Sequence, residues 1–133
     1  MKDVEMIDRD RAAALGLGAL LAGAAVAHFA RPGFFDAIVP EALPGSARMW
    51  TYASGVAEGV TGALVLHPRT RRRGGLLAAA LFVAVFPANV KQAFDSADAS
   101  TGERVATLLR LPLQIPLVLW GLRVARSTPP GRG

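Results

Sequence analysis

The chain has 133 residues, 52% of them hydrophobic, and its mean hydropathy is positive. This length fits one domain, and the composition is more apolar than a small soluble domain needs, so we predict a membrane protein. The 15 lysines and arginines exceed the 10 acidic residues but border apolar segments without interleaved aromatics, which argues against nucleic-acid binding. The absence of cysteine excludes disulfides, thiol redox chemistry and thiolate-bound iron–sulfur clusters.

Four apolar segments approach the ~20 residues that a helix needs to cross a bilayer core. They cover residues 12–30, 50–66, 75–93 and 105–122. The first exceeds the usual apolar stretch of a signal peptide, and three more segments follow it. We therefore expect an all-α fold, an integral membrane four-helix bundle that occupies residues 1–133 as a single domain.

Basic residues predict the orientation of these helices. An arginine-rich loop at residues 69–73 joins the second and third spans, and other cations precede the first span or follow the fourth. These other cations are Lys2, Arg9, Arg11, Arg123, Arg126 and Arg132. Because positive loops stay on the cytoplasmic side, we expect a multi-pass protein of the cell membrane with both termini in the cytoplasm.

Two charges interrupt the predicted spans. Glu58 lies in the second span and Arg110 in the fourth. Without a partner, each charge costs ~2.5–3.5 kcal/mol near the middle of a membrane. We therefore expect Glu58 and Arg110 to meet inside the bundle. Such a pair is either a structural ion pair that fixes helix register or part of a ligand, substrate or proton site.

Depth along the predicted helices brings polar residues from all four spans into the outer half of the bilayer. At a helical rise of 1.5 Å per residue, Glu58 lies roughly 12 Å and Arg110 ~8 Å below the outer ends of their helices. His28 and Asn89 lie near the outer ends of the first and third spans. The predicted ligand-binding residues are His28, Tyr52, Ser54, Glu58, Asn89, Arg110 and Gln114.

Simpler roles compete at several of these positions. Hydrogen bonding between helices explains Asn89 and Gln114 equally well, and a wet interface position explains His28. Tyr52 is most simply an interface anchor. The small residues around Gly55 predict close packing inside the bundle rather than a dimerisation face.

The segments beside the proposed pocket carry aromatic residues and prolines. Phe34 and Phe35 follow the first span, in a segment too short to cross the membrane, and are expected to lie over the pocket or in the interface. Pro112 and Pro116 flank Gln114, so the fourth helix is expected to be locally kinked.

Several kinds of chemistry are not expected. His28 and His67 lie near opposite predicted membrane faces, so we do not expect a haem held by two histidines of one chain. The chain contains no GxSxG elbow, no HExxH zinc site and no phosphate-binding loop, and no metal site is predicted. Glu58 and Arg110 remain candidates for an acid–base pair, so whether the protein is an enzyme stays open.

Three segments resemble the DoxX-like family of small membrane proteins: SGVAEGVTGALVLHPRTRR, FPANV and LRLPLQIPLVLW. The matching positions are Glu58, Asn89, Arg110 and Gln114. The resemblance implies a compact four-helix membrane bundle. Some relatives are associated with quinone-linked sulfur oxidation or oxidative-stress complexes, and others act as assembly partners. Because this chain lacks cysteine, any redox role cannot use a thiol of its own.

Three functions follow as alternatives. The first is an accessory subunit of a membrane oxidoreductase system that binds a small amphipathic ligand, with a quinone as the candidate cofactor, in an outer-leaflet pocket. The second is an enzyme in which Glu58 transfers a proton and Arg110 stabilises negative charge on a lipid-like substrate. The third is an assembly module without a ligand. The expected partners are the lipid bilayer, a membrane or membrane-associated protein, or a second copy of the chain.

Overall fold

The helices follow from the apolar segments, with longer ends than predicted. The computed structural model describes residues 2–128, so Arg132 lies outside the described part. The helices are α1 (Lys2–Ala30), α2 (Pro32–Asp36), α3 (Ala47–Leu66), α4 (Arg71–Ala84), α5 (Phe86–Asp95) and α6 (Thr101–Arg126). Residues 2–128 contain no β-strand, which confirms the all-α prediction.

Three helical segments of the described chain are long and apolar enough to cross a membrane. They are Lys2–Ala30, Arg71–Asp95 and Thr101–Arg126. α3 has 20 residues but falls outside this set, because Arg48, Glu58 and several small polar residues make it less apolar. Large exposed apolar side chains on the helices are typical of a surface that faces lipid. They include Val26, Val60, Val83, Leu113 and Ile115. These features are compatible with a membrane protein.

The third predicted span consists of two helices. α4 ends at Ala84 and α5 begins at Phe86, with Val85 between them. Pro87 lacks the N–H that would continue the helical ladder, which explains a break at this position. In contrast, α6 is one continuous helical element through Pro112 and Pro116.

Each end of the bundle carries a distinctive segment. We call the end with α2 the lid end and the end with residues 69–73 the arginine end. At the arginine end, Arg71 donates hydrogen bonds to the carbonyls of Val65 (2.9 Å) and Leu66 (3.0 Å). Thr70 donates to the carbonyl of Leu64 at 2.7 Å. The loop thus satisfies carbonyls in the last turn of α3.

The long helices pack in the cyclic order α1, α3, α4, α6. Close approach depends on glycines: an added Cβ at Gly75 would lie 2.7 Å from the Ala125 backbone nitrogen, which is sterically forbidden. An added Cβ at Gly55 would lie 3.0 Å from the Cβ of His28, so this glycine packs against α1, inside the bundle as predicted.

The apolar core lies in the arginine-end half. It consists of Ala14, Leu17, Leu21, Val65, Ala78, Phe82 and Val124. In the lid-end half, most buried side chains are polar: His28, Thr51, Asn89, Ser96, Thr107 and Gln114. The fold therefore gathers buried polar chemistry at one end of the bundle.

Candidate functional site

Two polar clusters, rather than one, occupy the lid-end half. The first cluster consists of His28 on α1 and Glu58 on α3. The second lies where α6 faces α4 and α5, and it includes Arg110 and Gln114. The predicted site residues are therefore brought to the same half of the molecule, but onto two different helix pairs.

Among the contacts between a carboxylate and a basic side chain in the described residues, the His28–Glu58 pair is the most buried. Nδ1 of His28 lies 3.2 Å from Oε2 of Glu58, and the two side chains are 9% and 16% exposed. The same Nδ1 lies 2.7 Å from the carbonyl oxygen of Ala24. Because a carbonyl oxygen only accepts hydrogen bonds, we assign a proton to Nδ1, which donates a hydrogen bond to the carbonyl oxygen of Ala24. In the neutral ring, Nε2 is then the acceptor.

Glu58 has an unused hydrogen-bonding position. Its Oε2 is buried, and within the described residues it has no hydrogen-bond partner, although Nδ1 of His28 is close. A buried polar atom in this state costs about 1–3 kcal/mol. A buried polar atom without a partner in a native fold needs an explanation, and a functional role is one, so this carboxyl group is the strongest candidate for ligand contact.

The predicted ion pair between Glu58 and Arg110 is wrong. The basic side chain beside Glu58 is His28, whereas Arg110 donates from Nη1 to Oε1 of Gln92 at 2.8 Å. The physical reason is the packing order. α3 packs on α1 and α4, while α6 packs on α4, α5 and α1, so α3 and α6 are diagonal in the bundle. Similar depth therefore does not bring the two side chains together.

An aromatic ring covers the first cluster. The ring of Phe35 stacks on the imidazole of His28, with centroids 3.7 Å apart and planes 18° apart. Phe34 contacts Phe35 edge to face at 5.2 Å and is itself 55% exposed. Of the two residues predicted to cover a pocket, Phe35 is therefore the one over the histidine. We call α2 and the Ala37 residue that follows it the lid.

Hydrogen bonds fasten the lid to two helices. Oδ1 of Asp36 accepts from Thr51 (2.6 Å), and Oδ2 accepts from Arg48 (2.9 Å). The Thr51 hydrogen bond lowers the pKa of Asp36 below its ordinary value; desolvation opposes this, and Arg48 adds to it. On α5, Lys91 donates to the carbonyl of Ala37 at 3.2 Å. The lid thus bridges α3 and α5.

In the second cluster, α6 forms hydrogen bonds with its neighbours at successive turns. These bonds join Thr107 to Ser96 (2.7 Å), Arg110 to Gln92 (2.8 Å) and Gln114 to the carbonyl of Phe82. The last bond satisfies a carbonyl near the end of α4, beside the break at Val85. Interhelical hydrogen bonding therefore accounts for Gln114, and Asn89 is buried on α5 one turn from Gln92.

Tyr52 and Ser54 lie near the first cluster without joining the His28–Glu58 pair. Tyr52 stacks on Phe29 at 5.2 Å, and the Arg48 guanidinium lies 5.7 Å above the tyrosine ring. Ser54 is half-buried on α3, one turn before Glu58. Tyr52 therefore braces the lid end of α3 through its ring.

Sequence reasoning missed Asp36, Thr51 and Gln92. Two signals could have found the first two. Thr51 lies one helical turn before Ser54 and two turns before Glu58, and Asp36 directly follows the two phenylalanines.

A cavity of about 380 Å³ lies beside the lid, not at either cluster. Its lining includes Asp36, Val39, Leu43, Trp50 and Lys91. Within residues 2–128, no group of three His, Asp or Glu side chains is arranged to hold a metal ion.

Comparison with known proteins relates the chain to a described family. Residues 17–125 match the family described as Domain of unknown function (DUF8561). This range contains both polar clusters and the lid, so the match covers the whole candidate site. No curated protein and no solved structure matches the chain.

Proposed function

We propose that this chain, which belongs to the DUF8561 family, is a membrane protein that binds a small amphipathic, quinone-like molecule beside His28 and Glu58. The observation that carries the proposal is the buried Oε2 of Glu58, which has no hydrogen-bond partner in the described chain. A ligand hydroxyl that donates to this oxygen removes the cost of its burial.

The surroundings of the pair fit both parts of such a ligand. A quinol hydroxyl donates to the Glu58 carboxylate or to Nε2 of His28, while a quinone carbonyl accepts from the protonated carboxylic acid of Glu58. Phe35 adds an aromatic ring at 3.7 Å from the imidazole. Val26 (67% exposed) and Val56 (57% exposed) give the neighbouring surfaces of α1 and α3 an apolar character that suits an isoprenoid or alkyl tail.

The proposal includes a four-helix membrane bundle with α3 as a fourth crossing. Its 20 residues span ~30 Å at 1.5 Å per residue, which is the thickness of a hydrocarbon core. α3 packs between α1 and α4, and exposed Val60 gives it an apolar outer surface. The cations at the arginine end favour a cytoplasmic position for both termini, and with it an outer-leaflet position for the lid end.

The resemblance to DoxX-like proteins extends the proposal to an accessory subunit of a membrane oxidoreductase system. This extension depends on the sequence likeness around Glu58, Asn89 and Arg110. In this extension the bound ligand is the group that is oxidised or reduced, because the chain has no cysteine and therefore no thiol.

Titration of the purified protein with decylubiquinone in lipid nanodiscs tests the ligand. Replacing the carboxylate in Glu58→Gln leaves the side-chain size unchanged and removes the charged acceptor, so we expect binding about tenfold weaker, from the loss of one charge-assisted hydrogen bond. Binding is measured by quenching of tryptophan fluorescence. The matched control is Glu103→Gln, at an exposed glutamate outside both clusters, and it should bind like the unmodified protein.

Equal affinity in the Glu58→Gln and Glu103→Gln variants contradicts the proposal. If Glu58→Gln lowers the unfolding temperature without changing affinity, the His28–Glu58 pair only secures packing, since breaking a buried pair destabilises the fold. Thermal unfolding followed by circular dichroism separates these outcomes.

A second candidate function is acid–base catalysis on a lipid-like substrate. The observation in its favour is the 3.2 Å separation of a carboxylate and an imidazole, since such a couple can pass a proton to or from a bound group. His28 replaces Arg110 as the partner in this version. We then expect His28→Gln and Glu58→Gln to abolish turnover of lipid extracts, measured by mass spectrometry, while the Glu103→Gln control remains active.

A further inference from the structure

Arg110 has a positive charge that no carboxylate of the described chain balances. Within residues 2–128, no acidic oxygen lies within 4.0 Å of its guanidinium, and its hydrogen-bond partner is the neutral amide of Gln92. The acidic residue of α5, Asp95, is already bound to Lys91. The cation is therefore compensated only by an amide dipole.

The position of Arg110 makes this imbalance important. It is half-buried on α6, and its neighbours Leu109 and Leu113 are 57% and 54% exposed. These leucines belong to the apolar surface of a helix long and apolar enough to cross a membrane. An unbalanced charge is costly in such a setting, and a counter-anion would lower that cost.

The guanidinium has donors left for such an anion. It carries five N–H donors in a planar fork, and Gln92 accepts one of them at 2.8 Å. The remaining donors match the two oxygens of a phosphate or carboxylate in the bidentate geometry that arginine favours. The Gln92 amide, held by its own bond to Arg110, also presents N–H donors from α5.

We propose that Arg110 and Gln92 bind the phosphate of a membrane phospholipid, with its acyl chains along the exposed leucines of α6. The source is lipid rather than free phosphate because the residues beside Arg110 are apolar and exposed. This site is separate from the His28–Glu58 pair, so either proposal can fail without the other.

Native mass spectrometry of the purified protein tests the site with four probes: phosphatidylglycerol, phosphatidylcholine, oleate and inorganic phosphate. We expect phosphatidylglycerol to be retained in preference to phosphatidylcholine, because no headgroup cation neutralises its phosphodiester anion. Arg110→Gln should weaken its retention about tenfold, from the loss of a charge-assisted, bidentate contact. The matched control is Arg104→Gln, which removes an exposed arginine from the same helix and should leave retention unchanged.

Other outcomes overturn the proposal. Equal retention of phosphatidylglycerol by the Arg110→Gln and Arg104→Gln variants excludes a role for Arg110. Retention of oleate or inorganic phosphate in preference to phosphatidylglycerol assigns the donors to a different anion. If Arg110→Gln does not fold, Gln92→Leu keeps the cation and removes the second donor, and it must then weaken retention at least threefold for the proposal to stand.

Discussion

At the scale of single residues, Asp36 does more than any other group to hold the lid in place. It accepts hydrogen bonds from Thr51 at 2.6 Å and Arg48 at 2.9 Å, both on α3. Phe35, the preceding residue, is thereby held on His28. One carboxylate on α2 thus holds an aromatic ring against His28, beside Glu58.

The lid should open at low pH. Because the folded-state pKa of Asp36 is lower than its unfolded value, its contribution to lid closure is complete above about pH 3.9 and is lost as the pH falls through the folded value. We expect slow hydrogen exchange of residues 32–38 above about pH 5 and faster exchange, after correction for intrinsic rates, in more acidic buffer. Asp36→Asn should exchange fast throughout, while Asp98→Asn, at an exposed loop carboxylate, behaves as the control. Slow exchange in Asp36→Asn contradicts this role.

Individual residues also show what a sequence can predict about a membrane site. The cost of burying a charge draws attention to Glu58 and Arg110, and helical rise predicts that both lie in the same half of the bundle, as they do. The sequence does not show which neighbouring helix each side chain faces, because that depends on the packing order of the helices. Asp36 was missed for another reason: its role comes from contact with Thr51, 15 residues away in the chain, which no local pattern records.

At the scale of helices, α4 and α6 approach so closely that a side chain added at Gly75 or Gly121 would clash with the backbone of the facing helix. An added Cβ at Gly121 would lie 2.8 Å from the backbone nitrogen of Ala79, and one at Gly75 would lie 2.7 Å from the carbonyl oxygen of Gly121. Backbone atoms cannot move aside as a flexible side chain does. The crossing of these two helices therefore requires glycine on both.

Two alanine substitutions should have opposite effects on stability. We expect Gly75→Ala to destabilise the protein by about 1–3 kcal/mol, because α4 and α6 must separate to admit the methyl group. Gly23→Ala, on α1, meets no atom within 4 Å and should stabilise the protein by about 0.5–1 kcal/mol through helix propensity. Thermal unfolding in detergent, followed by circular dichroism, measures both. A neutral Gly75→Ala would show that the helix crossing is adjustable.

The helices themselves were largely predictable, because a helix is the main structure in which an apolar segment of about twenty residues can satisfy its own backbone hydrogen bonds. The main difference lies in the third predicted span, where Val85 separates α4 from α5. Pro87 carries the signal for this break, yet Pro112 and Pro116 leave α6 a single element. Proline removes a hydrogen bond in every case, and neighbouring helices decide whether the helix then ends.

At the scale of the whole molecule, the predicted orientation is directly testable because the chain has no cysteine. We expect Asp98→Cys, in the α5–α6 loop, to react with a membrane-impermeant maleimide in intact cells. Arg69→Cys, in the loop at the arginine end, should react only after the cells are permeabilised. Mass tagging followed by immunoblotting reports both reactions. The opposite pattern would place the termini outside the cytoplasm and contradict the orientation.

The separation of the apolar core from the buried polar side chains has an evolutionary consequence. Leu17, Val65 and Val124 are fully buried in the arginine-end half, so stability is concentrated there. Substitutions at the lid end remove little apolar packing and are therefore tolerated more easily. A duplicated copy of such a protein can change the side chains around His28 and Glu58 while the apolar half that stabilises the bundle stays the same.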